Sequence, residues 1–141
     1  MIFAVLNVFS LVPFYENADM EYLDIYYALA DPTILRFMVE VCWGPMLAAF
    51  SVTLGQTDDK EATTQCLQGF RYAVHVTAGI GMQTQRDAFV TTVAKFTYLH
   101  CAADMKQKNV DAVKAIISIA IEDGNYLSGS MGTYFNMFIP I

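Results

Sequence analysis

"KQKNVDAVKAIISIAIEDGNYL", residues 106–127, decides the fold. It has a charged front, an apolar middle and an acidic, glycine-bearing end. Val110, Val113, Ile117 and Ala120 recur at helical spacing, and Ile116 and Ile121 widen the stripe. Strict alternation, the mark of a strand, is absent. The spacing predicts an amphipathic helix with Asp104 as its cap. Asp123-Gly124-Asn125 should close it, with Gly124 taking a left-handed conformation.

The same periodicity extends toward the N-terminus. Phe89, Val93 and Phe96 lie at i, i+4 and i+7, with Tyr98 or His100 continuing the helix. Thr84 is expected to cap it, with Asp87 three residues on. Before it, Leu67, Phe70, Val74 and Thr77 share a face, closed by Gly79 and Gly81. Asp58 with Glu61 forms a predicted capping box after a turn over 55–60. The apolar segment 33–54 contains Gly44-Pro45, and proline removes a helical donor and crowds a carbonyl. Two helical pieces bent at Trp43-Gly44 are expected there. Tyr22, Ile25, Tyr26 and Leu29 mark a short helix that Asp31-Pro32 stops. The class is therefore all-α, four to six helices in antiparallel pairs. A HEAT- or armadillo-like superhelix fits this pattern, and periodicity alone does not separate it from a bundle.

Composition bounds the function. The 141 residues allow one domain, and 55% hydrophobic against 16% charged leaves much to bury. The net charge is −6. Residues 1–55 hold six acids and a single base, Arg36. No basic stripe exists, which argues against nucleic acid or an electrostatic grip on anionic lipid. Cys42, Cys66 and Cys101 are widely spaced and odd in number, and read as reduced core thiols. The apolar run 1–15 is shorter than the ~20 residues of a membrane span. It reads as a buried helix or strand. A signal-peptide core is the alternative, although a basic leader and a small-residue cleavage site are missing.

No constellation points to catalysis. His75, His100, Cys66 and Cys101 lack the close pairing that zinc requires, and adjacent His100 and Cys101 diverge on a helix. Cys66 precedes His75 by nine positions, too far along one helix for a nucleophile and its base. "GIGMQTQ", residues 79–85, lacks the lysine and the preceding strand of a phosphate loop. The acids 16, 19, 21, 24 and 31 form a solvated face, with a weak surface for a basic partner as second reading. No cofactor and no metal are expected. Arg71 and Arg86 suit forked bonds to carboxylates or helix-end carbonyls. Lys106, Lys108 and Asn109 are taken as the more exposed candidates for partner contact.

Three strings carry a resemblance: "RFMVEVCWGPMLAAFSVTL" (36–54), "CLQGFRYAVHVTAGIGMQTQRDAFVTTVAKFT" (66–97) and "MKQKNVDAVKAIISIAIEDGNYL" (105–127), with "TDD" between the first two. In this order they resemble the large ARF guanine nucleotide-exchange factors of the brefeldin-A-inhibited, plant-like type. The similar part is the helical "homology downstream" region that follows the catalytic domain. The motif positions are Trp43, Pro45, Gly69, Phe70, Arg71, Arg86, Phe89, Asp123 and Gly124. No "FRLPGE"-like catalytic loop occurs. The resemblance implies a non-catalytic scaffold or regulatory segment spanning 33–127, between a divergent 1–32 and a divergent tail 128–141. By the same resemblance its partners are other helical segments and, indirectly, an ARF GTPase. Its place would be cytoplasmic, peripheral at Golgi, trans-Golgi or endosomal membranes through a parent protein. A free-standing helical adaptor unrelated to ARF is the alternative reading, and a small enzyme or secreted protein the third.

Overall fold

The computed structural model of the chain describes residues 31–127. The expected helix over 17–32, the apolar 1–15 and the tail after 127 lie outside the described residues, save Asp31 and Pro32. Four α-helices form the described part: α1 (Pro32–Gln56), α2 (Lys60–Gly79), α3 (Gln83–Phe96) and α4 (Gln107–Leu127), with a 3-10 segment (Leu99–Asp104) before α4. No strand occurs among the described residues. The fold is all-α.

Local chemistry sets each boundary. Asp31 caps α1, its side chain accepting from Thr33 N at 2.8 Å, and Pro32 stands at the first helical position. Proline is suited there because that N–H has no helical partner anyway. The break expected at Trp43-Gly44, ahead of Pro45, does not split α1, which runs unbroken for 25 residues. Pro45 is exposed, and the carbonyl it frees belongs to Val41, itself 60% exposed. Water can satisfy that carbonyl, which lowers the cost of an internal proline.

Other caps differ from the sequence expectations by a residue or two. Asp59, not Asp58, caps α2 by accepting from Ala62 N at 2.8 Å. Met82, not Thr84, precedes α3, and Thr84 lies inside that helix. Gly81, with φ +71°, makes the left-handed turn that joins α2 to α3 with only three residues between them. α3 stops at Phe96 rather than continuing to residue 98 or 100. Tyr98 is left-handed with φ 50° and opens the 3-10 segment. Asp104 ends that segment instead of capping α4. Asn109 takes over the capping role: its Oδ1 accepts from Lys106 N at 2.8 Å.

α2 is the central element, packed on α1, α3 and α4. Its residues 63, 66–67, 69–70, 73–74 and 76–78 are buried. Phe70 has no exposed surface and stacks between helices, 5.2 Å from the Phe50 ring of α1 and 6.1 Å from the Phe89 ring of α3. α1 contributes Val39, Met46, Phe50 and Leu54; α4 contributes Ala112, Ala115, Ile119 and Leu127.

That last set corrects the phase of α4. The buried face is the row 112, 115, 119, 123 and 127, not the stripe Val110, Val113, Ile117 and Ala120. Ile117 is 53% and Ile121 78% exposed. Gly124 stays helical, and α4 continues through it to Leu127. The thiols also differ from a uniform core set. Cys66 is buried, Cys42 half-buried and Cys101 exposed. Burial pushes the Cys66 thiol up, opposed in part by a hydrogen bond with Thr53.

Candidate functional site

Two polar clusters tie α4 to the rest of the fold. The first lies at the C-terminal end of α4. Arg71, on the turn of α2 next to Phe70, pairs with Glu122 of α4. One turn further, His75 Nδ1 lies 2.8 Å from Asp123 Oδ1. Asp123 is almost fully buried, whereas half of the His75 side chain is exposed. Asp123 Oδ2 and Arg71 Nε are buried with no hydrogen-bond partner. Arg86 of α3 is buried as well. Its Nε and Nη2 donate to Asp87 Oδ1 at 2.9 and 2.8 Å, and its Nη1 donates to the Tyr126 carbonyl at 2.6 Å. A guanidinium on one of the last carbonyls described for α4 serves both hydrogen bonding and the negative end of the helix dipole.

The second cluster joins the end of α1 to the start of α4. Lys108 Nζ donates to the Leu54 and Thr57 carbonyls at 2.9 and 3.0 Å, groups at the open end of α1. It also lies 2.9 Å from Asp58, and Lys106 lies 2.7 Å from the other Asp58 oxygen. The bonds from Lys106 and then Lys108 hold the Asp58 carboxyl well below the usual range, at about 2. Asn109 donates through Nδ2 to the Phe96 carbonyl at 2.8 Å, the last residue of α3. A cleft of about 350 Å³ opens here, lined by Leu54, Phe96, Tyr98, Cys101 and Lys106 among others.

The sequence-selected residues fall into distinct groups. Phe70 and Phe89 are core; Gly69 is buried in α2; Trp43 is half-buried and Pro45 exposed on α1. Arg71, Arg86 and Asp123 meet at the first cluster, and Gly124 follows it in α4. Of the three residues taken as exposed, only Lys106 is. The Lys108 side chain is 16% exposed and Asn109 is buried, because both are spent on carbonyls of the preceding elements. Sequence reasoning missed His75 and Glu122 as partners, and read Asp58 as a cap. The missed signal is that Glu122-Asp123 and Arg71–His75 each place charges one turn apart or adjacent on facing helices. Among the described residues no group of three or more His, Cys, Asp or Glu could hold a metal ion. Both clusters brace one helix against another.

Comparison with known proteins gives the remaining finding. No family model matches the chain, and no solved structure matches it. Over 106 residues, 75% of its length, the chain is 76% identical to the brefeldin A-inhibited guanine nucleotide-exchange protein 4 of Arabidopsis thaliana. Over 102 residues it is 78% identical to protein 1 of the same plant. The human protein 1 is 43% identical over 99 residues. The chain spans only about 6% of the length of the plant relatives and 5% of the human one.

Proposed function

We propose, from the premise that this chain is homologous to one segment of the brefeldin A-inhibited guanine nucleotide-exchange proteins, that it acts as a non-catalytic helical scaffold of such a factor. The single observation behind this reading is where α4 keeps its apolar residues. Its inner face is satisfied by α2 and α3, yet Val110, Ile117 and Ile121 stand exposed on the outside. A helix apolar on two sides packs between neighbours. In stacked helical arrays each unit buries its face on the next one. The outer side of α4 is therefore the stacking face for further helices of an exchange factor.

On this reading ARF nucleotide exchange belongs to other parts of such a factor. The chain contributes shape and contacts, at Golgi, trans-Golgi or endosomal membranes, and meets the GTPase only indirectly. The braces at Arg71, Arg86 and Asp123 keep α4 in register so that its outer face is presented as one surface.

The test has two arms. Purified chain is added to an ARF GTPase loaded with fluorescent GDP, and the release rate should not change. Stimulated release would refute the non-catalytic reading. In the second arm, the chain is mixed with the adjoining helical segments of the Arabidopsis protein 4, expressed separately. Binding that Ile117→Asp with Ile121→Asp abolishes is expected. Binding unaffected by that pair would remove the stacking role from this face.

A further inference from the structure

α1 has a second apolar side. Its buried row, Val39, Met46, Phe50 and Leu54, belongs to the core. On the opposite side Ile34, Met38, Val41, Pro45, Ala48 and Val52 are all exposed. They follow one another in alternating steps of four and three residues. That alternation is the seam pattern of a coiled coil, and here it runs along most of the helix. The seam is also free of charge. Its flanking positions are Leu35, Phe37, Cys42, Gly44, Ala49 and Ser51, while the two charged residues of α1, Arg36 and Glu40, lie on other sides of the helix. A second copy could therefore approach it without like charges meeting.

Side-chain size points to one arrangement of two copies. The bulky members Ile34, Phe37, Met38 and Val41 occupy the N-terminal half, and the small Pro45, Ala48 and Ala49 the C-terminal half. Parallel pairing would set bulk on bulk and leave a gap at Ala48. Antiparallel pairing centred on the level of Trp43 does the reverse. Positions 34 and 52, 38 and 48, and 41 and 45 are each equidistant from 43. Ile34 then meets Val52 of the second copy, Met38 meets Ala48, and Val41 meets Pro45. Large opposite small is how facing layers interdigitate. The area is also adequate. Ile34, Phe37, Met38, Val41 and Val52 are 49%, 71%, 40%, 60% and 53% exposed. With Pro45 and Ala48 they offer roughly 600 Å² per copy, so two copies reach the ~1,200 Å² at which specific interfaces begin. A self-complementary patch of this kind closes as a two-fold dimer.

We propose that α1 is a homodimerisation helix: two copies of this chain pair antiparallel through the seam Ile34, Met38, Val41, Pro45, Ala48 and Val52. This inference does not depend on the exchange-factor reading, which concerns the outer side of α4.

The test uses the full chain carrying Ile117→Lys and Ile121→Lys, so that contacts through α4 do not contribute. Sedimentation equilibrium over a concentration series should show a reversible monomer–dimer equilibrium. Val41→Asp, near the centre of the seam, should weaken the dimer by about tenfold or more, since it buries a charge without a partner. Its melting curve at concentrations where both proteins are monomeric should be unchanged, because Val41 is exposed in the single chain. Direction is read from a second pair of variants. Ile34→Asp should weaken the dimer, and adding Val52→Lys should restore it, since antiparallel pairing brings those two positions together across the copies. Parallel pairing would instead set like charges against each other, and the double variant would be the weaker one. That result would overturn the proposal. So would a chain that stays monomeric throughout, or a dimer that Val41→Asp leaves intact. A monomer that binds neutral phosphatidylcholine vesicles, and loses that binding with Val41→Asp, would give the seam to lipid, for which α1 has the length and composition.

Discussion

Phe70 touches aromatic rings on both α1 and α3 and has no solvent contact at all. Phe70→Ala would leave a cavity between three helices, and such truncations cost about 3–5 kcal/mol. Phe70→Asp would bury an unpaired charge at the same place and should leave no cooperative unfolding transition by circular dichroism. An unchanged melting curve for either variant would mean that the α2 face is assigned wrongly. This residue was legible in the sequence because 67, 70, 74 and 77 repeat without interruption. Asp58 was not. Its pairing with Lys106 and Lys108 spans about 50 positions, and no local pattern reports that. Its consequence is a pH dependence with a definite sign. The folded carboxyl sits at about 2 against an ordinary 3.8. The stabilisation is thus fully present above pH 3.8 and is lost as pH falls through 2. Acid titrations of wild type and Asp58→Asn should therefore differ in slope only in that window. Parallel curves would show that the exposed pair contributes nothing.

At the scale of the element, α4 shows what periodicity can and cannot decide. The helix itself was plain from the sequence. Its phase was not, because apolar residues cover two sides: Ala112, Ala115 and Ile119 inward, Val110, Ile117 and Ile121 outward. The larger outward side chains dominate a hydrophobicity pattern, while small alanines permit the close approach to α2. The start of α4 was also misplaced, since Asn109 does by reaching back what Asp104 was expected to do. Asn109 is buried and serves two elements, donating to the Phe96 carbonyl and accepting from Lys106 N. Asn109→Ala should cost about 1–3 kcal/mol, the penalty of leaving buried polar groups without partners. Urea denaturation measures it, and Asn109→Asp should recover part of the loss, since a carboxylate retains the acceptor for Lys106 N. A stability change below ~0.5 kcal/mol for the alanine variant would make the α3–α4 junction independent of this side chain.

For the whole molecule, the sequence revealed an all-α chain with much apolar surface, and a family resemblance that the plant relatives confirm. It could not reveal where that surface lies, because burial depends on which helices meet. The described helices bury one face of α1 and one of α4 and leave the opposite faces uncovered. Exposed apolar area on α4 should make the isolated chain self-associate, since nothing described here covers Ile117 or Ile121. Replacing both by lysine removes that area without touching the core. The double variant should grow no further than the α1-paired dimer over a concentration series in which wild type forms larger species by light scattering. Its unfolding free energy should change by no more than ~0.5 kcal/mol, as for surface positions generally. The two measurements separate the causes. Lower association with unchanged stability assigns the stickiness to the α4 face. A large loss of stability would instead mean that Ile117 and Ile121 are covered within the chain itself, and that α4 is not its open side.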